Sequence, residues 1–233
     1  MPKAFTEREK EVIQGLLLEH GYRLFSAFGL RKTSVAELAS AAGISKGAFY
    51  IFYDSKEALF MDVVEVAEEH FRHQVLAEID KPGPSPRARL FAVLKRAFTA
   101  FTGIPILRFL TSSDYDLLYR RVPAAQLEAH FASDQVFIEE LVARCREAGI
   151  SIQAPIDEIG RLFYTLVLTI LHQDALGPDR LAGAIDILLE LVSAYCLGEV
   201  EIEGGAAGSE AWIEGRALAG AGMEEGGRHE RGN

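Results

Sequence analysis

This 233-residue sequence predicts an all-α protein in two helical parts. Three observations carry that expectation. Apolar residues recur at spacings of three and four through most of the chain, and no stretch shows a convincing alternation of period two. Serine, threonine or aspartate stands ahead of several of these runs, where a helix is capped. Glycine and proline punctuate them, most firmly over 81–86, where Pro82, Pro84 and Pro86 cannot sit inside a helix.

Thr6-Glu7-Arg8-Glu9 reads as a capping box that opens a first helix running towards Phe28, with Gly29 after it. Thr33 or Ser34 suits the cap of a short second helix, whose apolar side is Val35, Leu38, Ala39 and Ala42. Gly43 ends it where a left-handed residue is needed, and Ile44 plugs the small core between the helices. Ser45 caps a third helix that begins Lys46-Gly47-Ala48-Phe49-Tyr50. Asp54 or Ser55 caps a longer fourth, over about 56–79. The body then reads as helices over about 87–101, 114–122 and 124–148. A short apolar piece lies at 106–110, and Gly149 closes the third body helix. Two strongly apolar helices, about 156–176 and 179–197, finish the fold around Gly177-Pro178. From Glu199 onward the chain is glycine-rich, with scattered charge and one tryptophan, Trp212, and a mostly disordered tail is expected.

Two short helices about a tight glycine turn can set the second helix in the major groove of DNA. The composition fits that task. Gly47 and Ala48 are small enough for the backbone to approach a duplex. Ser45, Lys46 and Tyr50 offer donors to phosphate oxygens, helped by free amides at the helix start. Phe49 and one or more of the following aromatics pack inward. The Lys56 ammonium is expected beside the nucleic-acid backbone, and Thr33 and Tyr53 complete the candidate contact set.

The stretch resembles the N-terminal DNA-binding domain of the TetR/AcrR family of one-component regulators. The match lies at Thr33, Val35, Ala39, Ala42, Gly43, Ser45, Gly47, Phe49, Tyr50, Lys56, Glu57 and Leu59, with 24–29 resembling the end of the family's first helix. The specific part covers roughly residues 8 to 60. The chain departs from the pattern at Phe52, where the family commonly has His or Tyr, and at Tyr53, where it has Phe. Phe52 cannot donate to a phosphate. The resemblance implies a helix-turn-helix DNA-binding domain (1–55), a helical ligand-binding and dimerisation domain (56–198) and a tail (199–233). It also implies a cytoplasmic homodimeric repressor on a palindromic operator, released when a small, mostly apolar effector enters a cavity in the body.

Charge is partitioned accordingly. Residues 1–56 carry eight Lys or Arg against six acids, a net +2, while the remainder carries 16 against 28, a net −12. The acidic body is repelled from DNA and the N-terminal part is tolerated there. Cys145 and Cys196 lie in apolar helical stretches without CxxC spacing, and buried free thiols are expected. Residues 1–10 are too charged for a secretory signal. The apolar run 162–171 is too short to span a bilayer.

Aromatic residues concentrate in the body. Phe98, Phe101, Phe109, Tyr119, Phe137 and Tyr164, with His172 as a polar handle, are the candidate ligand contacts. Apolar faces on the last two helices suit an intermolecular four-helix bundle, with Gly160 permitting close approach. Glu69, His70 and His73 share helical spacing but read as a solvated face, so no metal and no cofactor is expected. No Gly-rich phosphate loop, nucleophile elbow or HExxH occurs, which leaves no positive case for catalysis. The competing reading is a helical scaffold or binding protein whose DNA reader no longer functions.

Overall fold

The structure is a computed structural model that describes residues 5–111, 118, 120–171 and 183–200. The candidate ligand residues Tyr119 and His172, and the tail 201–233, lie outside the described residues. Among those described, the regular structure is all helical. Eight α-helices are described here: α1 (Glu7–Lys32), α2 (Val35–Ala41), α3 (Lys46–Phe49), α4 (Lys56–Ile79), α5 (Pro86–Thr102), α6 (Ala124–Glu147), α7 (Ile156–Leu171) and α8 (Ala184–Cys196). A 3-10 helix, Pro105–Thr111, follows α5.

Local chemistry sets the boundaries. The Thr6 box forms as expected, with the Thr6 hydroxyl accepting from the Glu9 amide and the Glu9 carboxylate accepting from the Thr6 amide. At Gly29, φ is +79°, and the helix kinks there before a last turn to Lys32. Ser55 caps α4 through the Ala58 amide. Ser85 caps α5, which places Pro86 at the first helical position. The segment 81–86 ends α4 as expected, and its last proline opens the next helix, because its missing N–H is not needed there.

The apolar residues fall into two cores. One gathers Leu17, Phe25, Leu30, Leu38, Phe49, Leu59, Phe60 and Val63 around α1 to α4. The other gathers Phe71, Val75, Leu90, Phe98, Val142, Ile159, Val167 and Leu189 from α4 to α8. The rod α4 serves both, its first half closing the N-terminal core and its second half the body core. Gly21 lets α1 lie close on α4: a Cβ there would meet Val63 Cγ2 at 3.1 Å. The 3-10 helix, with Leu118 and Val122, also packs into the N-terminal core; Ile106 and Leu107 are buried there and Phe109 meets Phe60 edge-on.

A Cβ at the half-buried Gly160 would lie 3.7 Å from Ile138 Cδ1 on α6, an ordinary contact. Both cysteines are buried and free, and burial raises each thiol to about 11. No described helix is long and apolar enough to cross a membrane.

Candidate nucleic-acid interface

The glycine turn forms as the sequence demands. Gly43 takes φ +72°, and the Ile44 amide reaches back to the Ala39 carbonyl at 2.9 Å. Ser45 then caps α3, its Oγ accepting from the Ala48 amide at 3.1 Å. The helix is a single turn, continued by tight turns from Ala48 to Ile51 and from Phe49 to Phe52. Phe49 is fully buried and anchors this turn on the N-terminal core. Ser45, Lys46, Gly47 and Tyr50 consequently face outward, with Tyr50 51% exposed.

Ile51 stands beside them at 60% exposure and was not among the residues singled out from sequence. Spacing could have found it. With Phe49, Phe52 and Tyr53 turned inward, positions 50 and 51 are left outward together. An exposed β-branched side chain next to Tyr50 suits apolar contact with a thymine methyl.

Three of the expected contact residues are engaged within the protein. Thr33 is buried, and its hydroxyl donates to the Gly29 carbonyl at 2.8 Å, satisfying the end of α1. The cap of α2 is Ser34, in a reciprocal box with Glu37. The Ser34 hydroxyl and amide hold the Glu37 carboxyl below its ordinary range. Tyr53 is also buried. Its hydroxyl lies beside Gln14 and Asp62 without reaching hydrogen-bond geometry, and burial pushes its ionisation up to about 12. Phe52 stacks on Phe5 with ring centroids 5.9 Å apart, so neither aromatic is placed to donate to phosphate.

Lys56 is the third. Its ammonium donates to the carbonyls of Leu30 at 2.6 Å, Thr33 at 2.7 Å and Arg31 at 3.2 Å. These are the free carbonyls at the end of α1, where a cation also meets the negative pole of the helix. Lys56 therefore fixes the angle between α1 and the turn into α2. A shallow pocket of about 360 Å³ opens beside it, with Ser34, Lys46, Tyr50, Ser55 and Arg121 on its walls. The Arg121 guanidinium lies 3.6 Å from the buried Glu57 carboxylate at the start of α4.

Residues 17–63 match the model of the bacterial regulatory proteins of the tetR family. The chain carries a TetR-family helix-turn-helix. The chain is 40% identical over 80 residues to an uncharacterized HTH-type transcriptional regulator, YuxN, of Bacillus subtilis. That match covers 34% of this chain and spans about a quarter (26%) of YuxN. The fold is also shared, at low identity, with solved structures of transcriptional regulators. One from Mesorhizobium loti superposes with a TM-score of 0.58 at 15% identity, covering 85% of this chain and all of that one. The regulator FadR of Bacillus subtilis, solved in complex with stearoyl-CoA, superposes at 0.54 and 12% identity over 80% of this chain and 99% of FadR.

Of the expected ligand residues, Phe98, Phe101 and Phe137 lie in the body core. Phe98 is buried, and Phe101 meets Phe71 and Phe163 edge-on, with centroids 5.4 and 5.8 Å apart. Phe137 joins through Phe71 at 5.8 Å. Tyr164 is half-buried on α7. Phe109 belongs elsewhere, because its stacking on Phe60 puts it in the N-terminal core rather than the body. The hydroxyls of Thr102, Thr165 and Thr169 donate to their own helix carbonyls at 2.8 Å.

Proposed function

We propose that this chain is a ligand-responsive transcriptional repressor, not an enzyme, that grips a palindromic operator as a homodimer. The observation that carries the reading is the outward row Ser45, Lys46, Gly47, Tyr50 and Ile51 on a capped helix start, held by the buried Phe49. Small residues admit the duplex, the serine and lysine meet phosphates, and Tyr50 with Ile51 reach the base edges.

Dimerisation through the last helices is supported by an apolar strip on α8. Ile187, Leu188 and Leu191 are 64%, 40% and 55% exposed, at helical spacings of one and four. In such a dimer the two reading turns need a separation of about 34–36 Å, or a multiple, to meet successive major-groove faces. An effector that wedges the Phe71, Phe101, Phe137 and Phe163 rings apart moves Phe71, which stands on α4, and α4 carries the reader. The apolar chemistry of those rings favours an apolar or aromatic effector. The stearoyl-CoA held by FadR on the same fold supports the acyl class.

The test is a gel-shift titration of the purified chain against the upstream region of its own gene, across a salt series. A saturable, sequence-selective shift that weakens with salt is expected, together with a dimer by sedimentation. A shift no stronger than that of random duplex, or none with any upstream fragment, overturns the reading in favour of a scaffold.

A further inference from the structure

A half-buried charged cluster lies where α4 meets α6, with Glu68 its most buried member. Glu65, Glu68 and Arg72 share one side of α4 at spacings of three and four, and His130 and Asp134 share one side of α6 at a spacing of four. One carboxylate oxygen each from Glu65 and Glu68 and one ring nitrogen of His130 all lie within 4.8 Å of one another. His130 Nδ1 stands 2.5 Å from Glu65 Oε1 and 3.7 Å from Glu68 Oε2. On the far side of the ring, His130 Nε2 faces Asp134 Oδ2 at 3.8 Å.

Two features separate this cluster from an ordinary surface network. The Glu68 side chain is only 9% exposed, yet among the described residues its carboxylate meets donors no closer than 3.5 Å, from Arg72, and 3.7 Å, from His130. A carboxyl so deeply buried is normally held by short hydrogen bonds, neutralised by a proton, or met by a cation. Charge points the same way. Three carboxylates face one guanidinium, and that guanidinium is drawn aside by Ser133 at 2.7 Å and Asp134 at 3.0 Å.

We propose that Glu65, Glu68 and His130 form a binding site for a divalent first-row transition ion, Zn(II) being the ion that suits the donors, and that the ion fastens α4 to α6. One imidazole nitrogen and two carboxylate oxygens, with water as the fourth ligand, make a donor set of the kind that holds zinc at about 2.0–2.2 Å. Ligands around such an ion stand about 3.4 Å apart. The Glu68 to His130 spacing already suits this, and Glu65 has to withdraw by roughly 1 Å, within reach of a small rotation of its 35% exposed side chain. Asp134 Oδ2, 3.8 Å from Nε2, has to close by roughly 1 Å to become the outer carboxylate that accepts from Nε2–H and orients the ring.

The proposal concerns binding alone and stands apart from any reading of DNA function. The experiment is calorimetric titration of tag-free, chelator-stripped full chain with ZnCl2, repeated with CoCl2 as a chromophoric stand-in. One site per chain is expected, with a visible Co(II) band and a rise in the urea midpoint on adding zinc. His130→Gln and Glu68→Gln are expected to abolish saturable binding while circular dichroism stays helical. Asp134→Asn is expected to weaken it by about 10–100-fold. His73→Gln, which removes an exposed histidine paired to Glu69 at 2.9 Å, leaves it unchanged. Absence of saturable binding in the parent, or binding that survives His130→Gln, overturns the proposal. If a substituted chain loses its helicity, Asp134→Asn and His73→Gln decide between the cluster and the surface.

Discussion

Removing the Lys56 ammonium separates a structural lysine from a DNA-contacting one. Lys56→Met keeps the apolar stem and deletes three N–H···O contacts, two of them short and part-buried, to the carbonyls that end α1. A hydrogen bond made by a charged group contributes about 1.5–3 kcal/mol, and a cation at a helix C-terminus adds about 0.3–1 kcal/mol. One ammonium sharing its protons among three half-solvated carbonyls sits towards the middle of that range, so the loss is about 2–3 kcal/mol. At a denaturant slope of about 2 kcal/mol per molar urea, the unfolding midpoint falls by about 1 M. The second readout is the salt dependence of binding to a random 30-base-pair duplex. Each phosphate neutralised contributes about 0.9 to the slope of log K against log salt. Lys56→Met is expected to leave this slope unchanged, whereas Lys46→Met, which removes an exposed ammonium beside Tyr50, lowers it by about 0.9 per copy bound. An unchanged urea midpoint with a reduced slope in Lys56→Met refutes the reasoning and returns the residue to the DNA face.

Ile51→Ser takes an exposed side chain off the reading turn. It is expected to leave the unfolding free energy within about 0.5 kcal/mol of the parent while operator selectivity over random duplex falls several-fold, measured by competition gel shift. Leu191→Glu, at 55% exposure on α8, is expected to give a folded monomer by sedimentation, since one buried unpaired charge per subunit is costly at an apolar interface. A dimer that survives it places the interface elsewhere. Cys145 and Cys196, with thiols raised to about 11, hold only about one part in a thousand as thiolate at pH 8. A disulfide-exchange reagent is therefore expected to react fully only after unfolding in urea, and prompt reaction of either thiol in the native chain contradicts their burial. Gly21→Leu forces carbon into the α1–α4 contact, where even a Cβ meets Val63 at 3.1 Å, and is expected to cost about 1–3 kcal/mol in urea unfolding.

Much of the N-terminal architecture was legible in the sequence because short-range rules govern it. The Thr6 box, the left-handed Gly43, the Ser45 cap and the inward Phe49 each depend on residues fewer than five positions apart. Assigning polar residues to DNA was harder, because side-chain destination depends on distant backbone. Lys56 looks like a surface cation until α1, 26 positions upstream, delivers its terminal carbonyls. Thr33 and Ser34 are equally good caps locally, and only the kink at Gly29 makes Thr33 the partner of α1. In the body, ring composition says that aromatics meet but not whether they enclose space or fill it. Phe109 shows the limit most clearly. It falls within an apolar stretch of the body sequence, yet its ring is claimed by Phe60 on the other core. The cluster of Glu65, Glu68 and His130 was out of reach for the same reason, since 65 positions separate its halves.

The division of α4 between two cores constrains how any signal can travel. Phe60, Val63 and Val64 are fixed in the N-terminal core, and Phe71, Val75 and Ile79 in the body core, all on one unbroken helix. At 1.5 Å per residue, Phe71 lies about 17 Å along the rod from Phe60. A displacement among the body rings cannot be absorbed by a hinge between the cores, because no loop separates them at this point. It must either carry the reader with it or break packing around Phe60. The 3-10 helix opposes the first outcome by docking Ile106 and Leu107 beside α1, so the reader is held from two sides. Reversing a population from 1:99 to 99:1 takes about 5.5 kcal/mol of differential affinity. That amount compares with the burial of two or three large apolar side chains, at about 1.5–3 kcal/mol each. An effector that moves the Phe71 side chain and seats itself among Phe101, Phe137 and Phe163 has that much contact to gain; one that touches only the surface of α6 does not.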